Sequence, residues 1–97
     1  MRSIHWTHQA RADLAAIQAF IRQDSPDYAS VVISRLITAT DRLVQFPESG
    51  RAVPEFEDPF VREVVHPPYR VVYRLMGIDQ IHVLTVHHSS KSFPTEL

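Results

Sequence analysis

A chain of 97 residues with 44% hydrophobic and 22% charged content makes one domain of roughly average composition, and excludes two. It lacks cysteine, which excludes disulfides and thiolate metal sites and fits a reducing compartment. Its formal net charge of −1 argues against binding nucleic acid mainly through phosphates, since such proteins carry a clear basic excess.

The N-terminus Met1-Arg2-Ser3-Ile4-His5-Trp6 has no signal-peptide core, and no apolar run approaches the roughly 20 residues needed to span a bilayer. A soluble cytoplasmic protein with no membrane partner is expected. Residues 2–6 alternate weakly and predict a short first strand. Thr7 is placed as an N-cap. From His8 to about Gln23, Ala10, Leu14, Ile17 and Ile21 recur at helical spacing, which predicts an amphipathic helix. Asp24-Ser25-Pro26-Asp27 breaks it and starts another, with Ser25 as N-cap and Pro26 at the first helical position. The second helix is predicted to about Gln45. Ala29, Val32, Ile33, Leu36, Ile37, Leu43 and Val44 form its buried face, and Phe46-Pro47 stops it. So short a connection predicts an antiparallel helical hairpin.

Glu48 to Pro59 shows neither period and reads as a loop. Phe60 to Val65 predicts a strand, stopped by His66-Pro67-Pro68; the diproline is expected to prevent early ladder pairing. Tyr69 to Met76 and Gln80 to His88 are rich in β-branched and aromatic residues. With turn residues Gly77 to Asp79 between them they predict an antiparallel hairpin. The tail from Ser92 to Leu97 reads as loose. The expected fold is a single α+β domain over 1–97, in the order β-α-α-β-β-β. A small antiparallel sheet carries both helices on one face.

One end of the predicted hairpin gathers Arg70 and His88, with Ser89, Ser90 and Lys91 beyond. Arg70 and Arg74 are four apart on a strand and point to one face. Arg70 can clamp a phosphate or stabilise a pentavalent phosphorus; it can equally pair with Glu63 across the ladder. His88 can move protons to a leaving 5′-oxygen or from a ribose 2′-hydroxyl, or be a surface or capping histidine. His87 faces the other way. Arg51, Arg62, Arg74 and Lys91 complete a basic set that could bind a target or nucleic acid. Glu55, Glu57, Asp58, Glu63, Asp79 and Glu96 dilute it, so ordinary surface salt bridges are the competing reading. His82 and His88 lie roughly 20 Å apart along a strand, and His5 with His8 makes no ligand spacing. No metal and no cofactor are expected. The helical stripes are core, though a groove beside a two-helix layer can take a partner helix.

Taken in order, these residues carry a resemblance: Ala10-x-x-Asp13-Leu14-x-x-Ile17-x-x-Phe20-Ile21, Ala29, Leu43-x-x-Phe46-Pro47-x-x-Gly50-Arg51-x-Val53-Pro54-Glu55, Val61-Arg62-Glu63, Tyr69-Arg70-Val71-Val72-Tyr73-Arg74 and Val83-x-x-Val86-x-His88-x-x-Lys91. The chain resembles the RelE/ParE superfamily of type II toxins, nearest to the ParE-like branch often called plasmid stabilisation proteins. That resemblance implies a toxin held inactive by a cognate antitoxin, with promoter DNA bound only through the antitoxin. ParE-like members imply inhibition of DNA gyrase. RelE-like members imply ribosome-dependent cleavage of mRNA. In the latter case Arg70 matches a strand arginine at the scissile phosphate and His88 a general acid or base, with Arg51, Arg62 and Lys91 guiding RNA. The lack of a basic excess, the absence of a basic pair on the strand at 60–65 and the absence of a tyrosine after His88 favour the ParE-like reading. A toxin fold that has lost toxicity and keeps antitoxin binding is the third possibility.

Overall fold

β4 (Tyr69–Met76) and β5 (Gln80–His88) form the expected antiparallel hairpin. Gly77 turns it at φ 65°, a conformation that glycine adopts without a Cβ clash. The computed structural model describes residues 2–91 and residue 93. Apart from Phe93, the tail read as loose therefore lies outside the described residues. The other elements are β1 (Ser3–Trp6), α1 (His8–Arg22), α2 (Pro26–Asp41), a 3-10 turn over Arg42–Val44, β2 (Arg51–Ala52) and β3 (Val61–His66).

Both helices start where the sequence places them. Thr7 Oγ1 accepts from the Ala10 N–H at 3.2 Å, and Ser25 Oγ accepts from the Tyr28 N–H at 3.2 Å. Each such cap contributes about 1 kcal/mol. Thr7 Oγ1 also donates to the Val83 carbonyl at 2.8 Å, so the residue that begins α1 also fixes it to β5. Helix geometry ends at Asp41 and tightens into the 3-10 turn, which carries the chain to the predicted stop.

The sheet order is β1-β5-β4-β3-β2. Two features depart from expectation. β2 lies inside the segment read as a loop and pairs antiparallel with Glu63 and Arg62 of β3. β1 runs parallel to β5, so the sheet is mixed rather than wholly antiparallel. Because β2, β3, β4 and β5 alternate in direction, β1, parallel to β5, runs opposite to β2. The diproline expectation also fails: Pro67–Pro68 is a cis bond, and the ladder pairs His66 with Tyr69 directly beside it. The prolines occupy the turn itself, where no ladder N–H is required.

The helical hairpin covers one face. Ala10, Val32 and Leu36 bury against Tyr69, Val71, Val83 and Val86, with Leu14, Ile17 and Ile21 half-buried around them. Leu43 reaches Tyr73 and Ile81. Ile37, predicted buried, is exposed. Between Val72 and Tyr73 the β4–β5 register shifts, leaving Leu84 as an extra residue. This lets Val83 and Val86 both face the helices, while Leu84 joins the opposite side. There Val53, Val61 and Val72, with Phe56 and Phe93, make a smaller second core. Among the described residues no helix is long and apolar enough to cross a membrane.

Candidate functional site

The outer face of the sheet, away from the helices, collects most of the basic residues singled out above. Each arginine among them is already engaged. Glu63 lies on β3 diagonally across from Arg70, and its side chain is fully buried. Arg70 Nε donates to Glu63 Oε1 at 2.6 Å, and Arg51 Nε donates to Glu63 Oε2 at 2.6 Å. Arg70 then closes a bidentate pair with Glu55, Nη2 to Oε1 at 2.8 Å and Nη1 to Oε2 at 2.9 Å. The Phe93 ring lies 4.2 Å from the guanidinium carbon. Only 14% of the Arg70 side chain remains exposed. Two arginines thus meet two carboxylates, and their charges cancel locally.

The electrostatics agree with this geometry. The bidentate bond from Glu55, reinforced by Glu63, holds the Arg70 guanidinium protonated well above its ordinary range. The same bond lowers the Glu55 carboxyl. Asp58 is also lowered, first by the Phe60 N–H it accepts and then by Arg74. Arg74 Nη1 donates to Asp58 at 2.5 Å.

Arg62 faces the helix side, opposite Tyr73. Its Nη1 donates to the carbonyls of Gly50 at 3.0 Å and Glu48 at 3.3 Å, and its buried Nε has no partner among the described residues. Here it secures the chain entering β2. The same loop is pinned by Tyr73, whose hydroxyl donates to the Pro47 carbonyl at 2.8 Å and accepts from the Gly50 N–H at 3.0 Å. A Cβ on Gly50 would stand 2.4 Å from that hydroxyl and 2.7 Å from the Glu63 carbonyl. The close approach explains the glycine without any phosphate-binding role. Burial raises the Tyr73 phenol above its ordinary value.

Arg70 and His88 do not share a site. Tyr69 pairs with His88 and Arg70 with His87, so His88 faces the helix side with Tyr69. Their rings meet edge to face at 5.3 Å. His88 Nδ1 accepts from the Ser90 N–H at 3.0 Å and lies 2.6 Å from Ser90 Oγ, which makes it a local cap for the end of β5. His87 is the histidine on the Arg70 face. Its ring packs on Phe93 at 5.1 Å, and its Nε2 donates to the Lys91 carbonyl at 2.9 Å. Lys91 is exposed and has no ion-pair partner among the described residues. As arranged, these contacts hold the outer face and the end of β5 together.

Sequence reasoning quoted Asp13 in the family pattern without giving it a role, and passed over Phe93. Asp13 Oδ2 accepts from Thr85 Oγ1 and, at 3.0 Å, from the Val86 N–H. It anchors α1 beside the irregularity in β5. A carboxylate beside the apolar stripe was the available signal. Around the C-terminal end of α2 the surface is concave and partly apolar. A groove of about 640 Å³ is lined by Phe46, Phe60, Leu75 and Ile78. A neighbouring one of about 940 Å³ shares Phe46 and is lined by Ala39, Arg42, Arg51, Val64 and Val65. Phe46, Phe60, Val65 and Ile78 are all exposed, Ile78 by 91%.

Fold and outer face together define a small α+β domain of the RelE/ParE type. Residues 4–93 match the family described as the ParE toxin of the type II toxin–antitoxin system parDE. Y4kP of Sinorhizobium fredii is 33% identical over 98 residues, covering 99% of this chain and 97% of its own. Toxin RelE2 of Caulobacter vibrioides is 37% identical over 92 residues, covering 94% and 99%. A solved structure of the chromosomal ParDE system from P. aeruginosa superposes with a TM-score of 0.74 at 27% identity, covering 91% of this chain and 96% of that one. The chain belongs to the ParE toxin family of type II toxin–antitoxin systems.

Proposed function

We propose that this toxin arrests growth in the cytoplasm by binding a protein target, DNA gyrase, and that a cognate antitoxin neutralises it and supplies the contact with promoter DNA. The observation that carries the reading is the state of Arg70. Its guanidinium is held by Glu55 and Glu63 beneath Phe93, and His88 lies on the opposite face of the sheet. A ribonuclease needs the reverse, a cation free for the scissile phosphate beside a proton-transfer group. Binding a protein asks only for exposed surface. The two grooves meeting at Phe46 offer that, with Arg51 and Arg42 at the rim.

The test is a supercoiling assay with purified gyrase, run beside transcript-end mapping after induction. Inhibited supercoiling with intact messages is expected, relieved by the product of the adjacent antitoxin gene. Cuts within codons, lost in Arg70→Ala, would instead establish the ribosome-dependent nuclease. The name of the 37% identical relative, toxin RelE2, keeps that reading in the comparison. Neither effect, with antitoxin binding retained, would mean a toxin fold without toxicity.

A further inference from the structure

Independently of its target, we infer that the outer face of the sheet carries a binding site for a divalent transition metal ion, formed by His5 of β1 and His82 of β5. Linear spacing hides the pair, because these residues stand 77 positions apart (82 minus 5). The parallel ladder sets them directly opposite one another. Ile4 and Ile81 beside them point into the helix-side core, so both imidazoles lie on the other face. His5 is exposed and His82 half-buried.

The geometry suits a shared ion. The two ring centres are 5.3 Å apart, with planes tilted by 56°. A histidine nitrogen binds zinc at about 2.0–2.1 Å, which places the ring centre roughly 3.2 Å from the metal. Two centres separated by 5.3 Å then subtend about 110° at a common ion, close to the tetrahedral angle. His82 Nε2 lies 3.2 Å from Gln80 Oε1. With that nitrogen donating to the amide, Nδ1 keeps its lone pair for the ion, and the ring is oriented as ligating histidines usually are. Arg74 is the cross-strand neighbour of His82, but its guanidinium is turned to Asp58. Its charge is therefore offset where a cation would approach.

No third histidine, cysteine or carboxylate joins the two among the described residues. Water completes the coordination, and the site is open. Two imidazoles without carboxylates select zinc, nickel or copper over magnesium or calcium. The ion would staple β1, an edge strand of four residues, to the hairpin. Because the pair exists only when β1 is seated, binding raises the stability of the folded chain.

The test uses the full untagged chain, titrated with Zn²⁺, Ni²⁺ and Mg²⁺ while its thermal melt and binding heat are followed. Zn²⁺ and Ni²⁺ should raise the melting temperature and Mg²⁺ should not. His5→Ala and His82→Ala should each weaken binding by at least about tenfold, and His66→Ala should leave it intact. No binding up to millimolar Zn²⁺, or binding unchanged in both the His5 and His82 variants, overturns the site. A measurement on the unaltered chain avoids any dependence on folding of the variants. Substoichiometric Cu²⁺ should broaden the imidazole NMR signals of His5 and His82 before those of the other four histidines, and the opposite order would refute it.

Discussion

Replacing Glu63 with glutamine tests the centre of the outer-face network. The side chain is fully buried and accepts two charge-assisted bonds at 2.6 Å, from Arg51 and Arg70. The amide keeps one acceptor but turns an N–H toward the other arginine. The two arms differ in weight. Arg51 is 63% exposed, so its guanidinium returns to water and that arm contributes less than about 1 kcal/mol. Arg70 is 14% exposed and cannot rehydrate, but it keeps both bonds to Glu55. Removing one partner of a buried pair costs about 3–5 kcal/mol. The surviving Glu55 contacts reduce this to about 2–3 kcal/mol, a large share of the roughly 5–15 kcal/mol that holds a domain folded. Urea denaturation followed by the fluorescence of Trp6, the single tryptophan, should show a lower midpoint with unchanged slope. In the companion single variants Arg70→Ala should be markedly more costly than Arg51→Ala. A loss below about 1 kcal/mol in Glu63→Gln, or equal losses for the two arginines, would refute the reasoning.

Further outcomes follow from the packing and the titrating groups. Tyr73→Phe strands the Pro47 carbonyl and the Gly50 N–H and should cost about 2–3 kcal/mol; Gly50→Ala, which crowds the same hydroxyl, should destabilise by about 1–3 kcal/mol; both are read from urea midpoints. Leu36→Asp buries an unpaired carboxylate at a fully enclosed position and should abolish the cooperative melt. The Glu55 and Asp58 carboxyls are lowered in the folded chain, so the stability they add is present at neutral pH. It should fade as pH falls below about 4, through their folded values. Glu55→Gln should flatten that acid limb in a pH series of melts, and added salt should weaken it because both groups face solvent.

The helices and the central hairpin were legible because their signals are periodic and local: Ala10, Leu14, Ile17 and Ile21 on one side, Tyr69 to Met76 and Gln80 to His88 on the other. Arg51-Ala52 was not, since two residues carry no alternation, and neither was the direction of β1, which is set by its pairing with β5 at the far end of the sequence. At the candidate site the residue types were visible, and so was one pairing: Arg70 with Glu63 across the ladder was the competing reading, and the structure bears it out. The burial of Glu63 and its second bond, from Arg51, were not legible, and Glu63 otherwise read as one of six diluting acids. The choice between His87 and His88 depended on the β4–β5 register, which strand propensity does not specify. Phe93 was taken as part of a loose tail, yet its ring covers Arg70 through an aromatic contact that local sequence cannot reveal.

The parallel seating of the first strand sets a limit on synthesis. Thr7 closes against Val83, 76 residues later, so a nascent chain has nowhere to dock its opening segment until the final strand has left the ribosome. Contacts that span so much of a chain form late and slowly. The seat of β1 and of the start of α1 therefore exists only once β5 has been made.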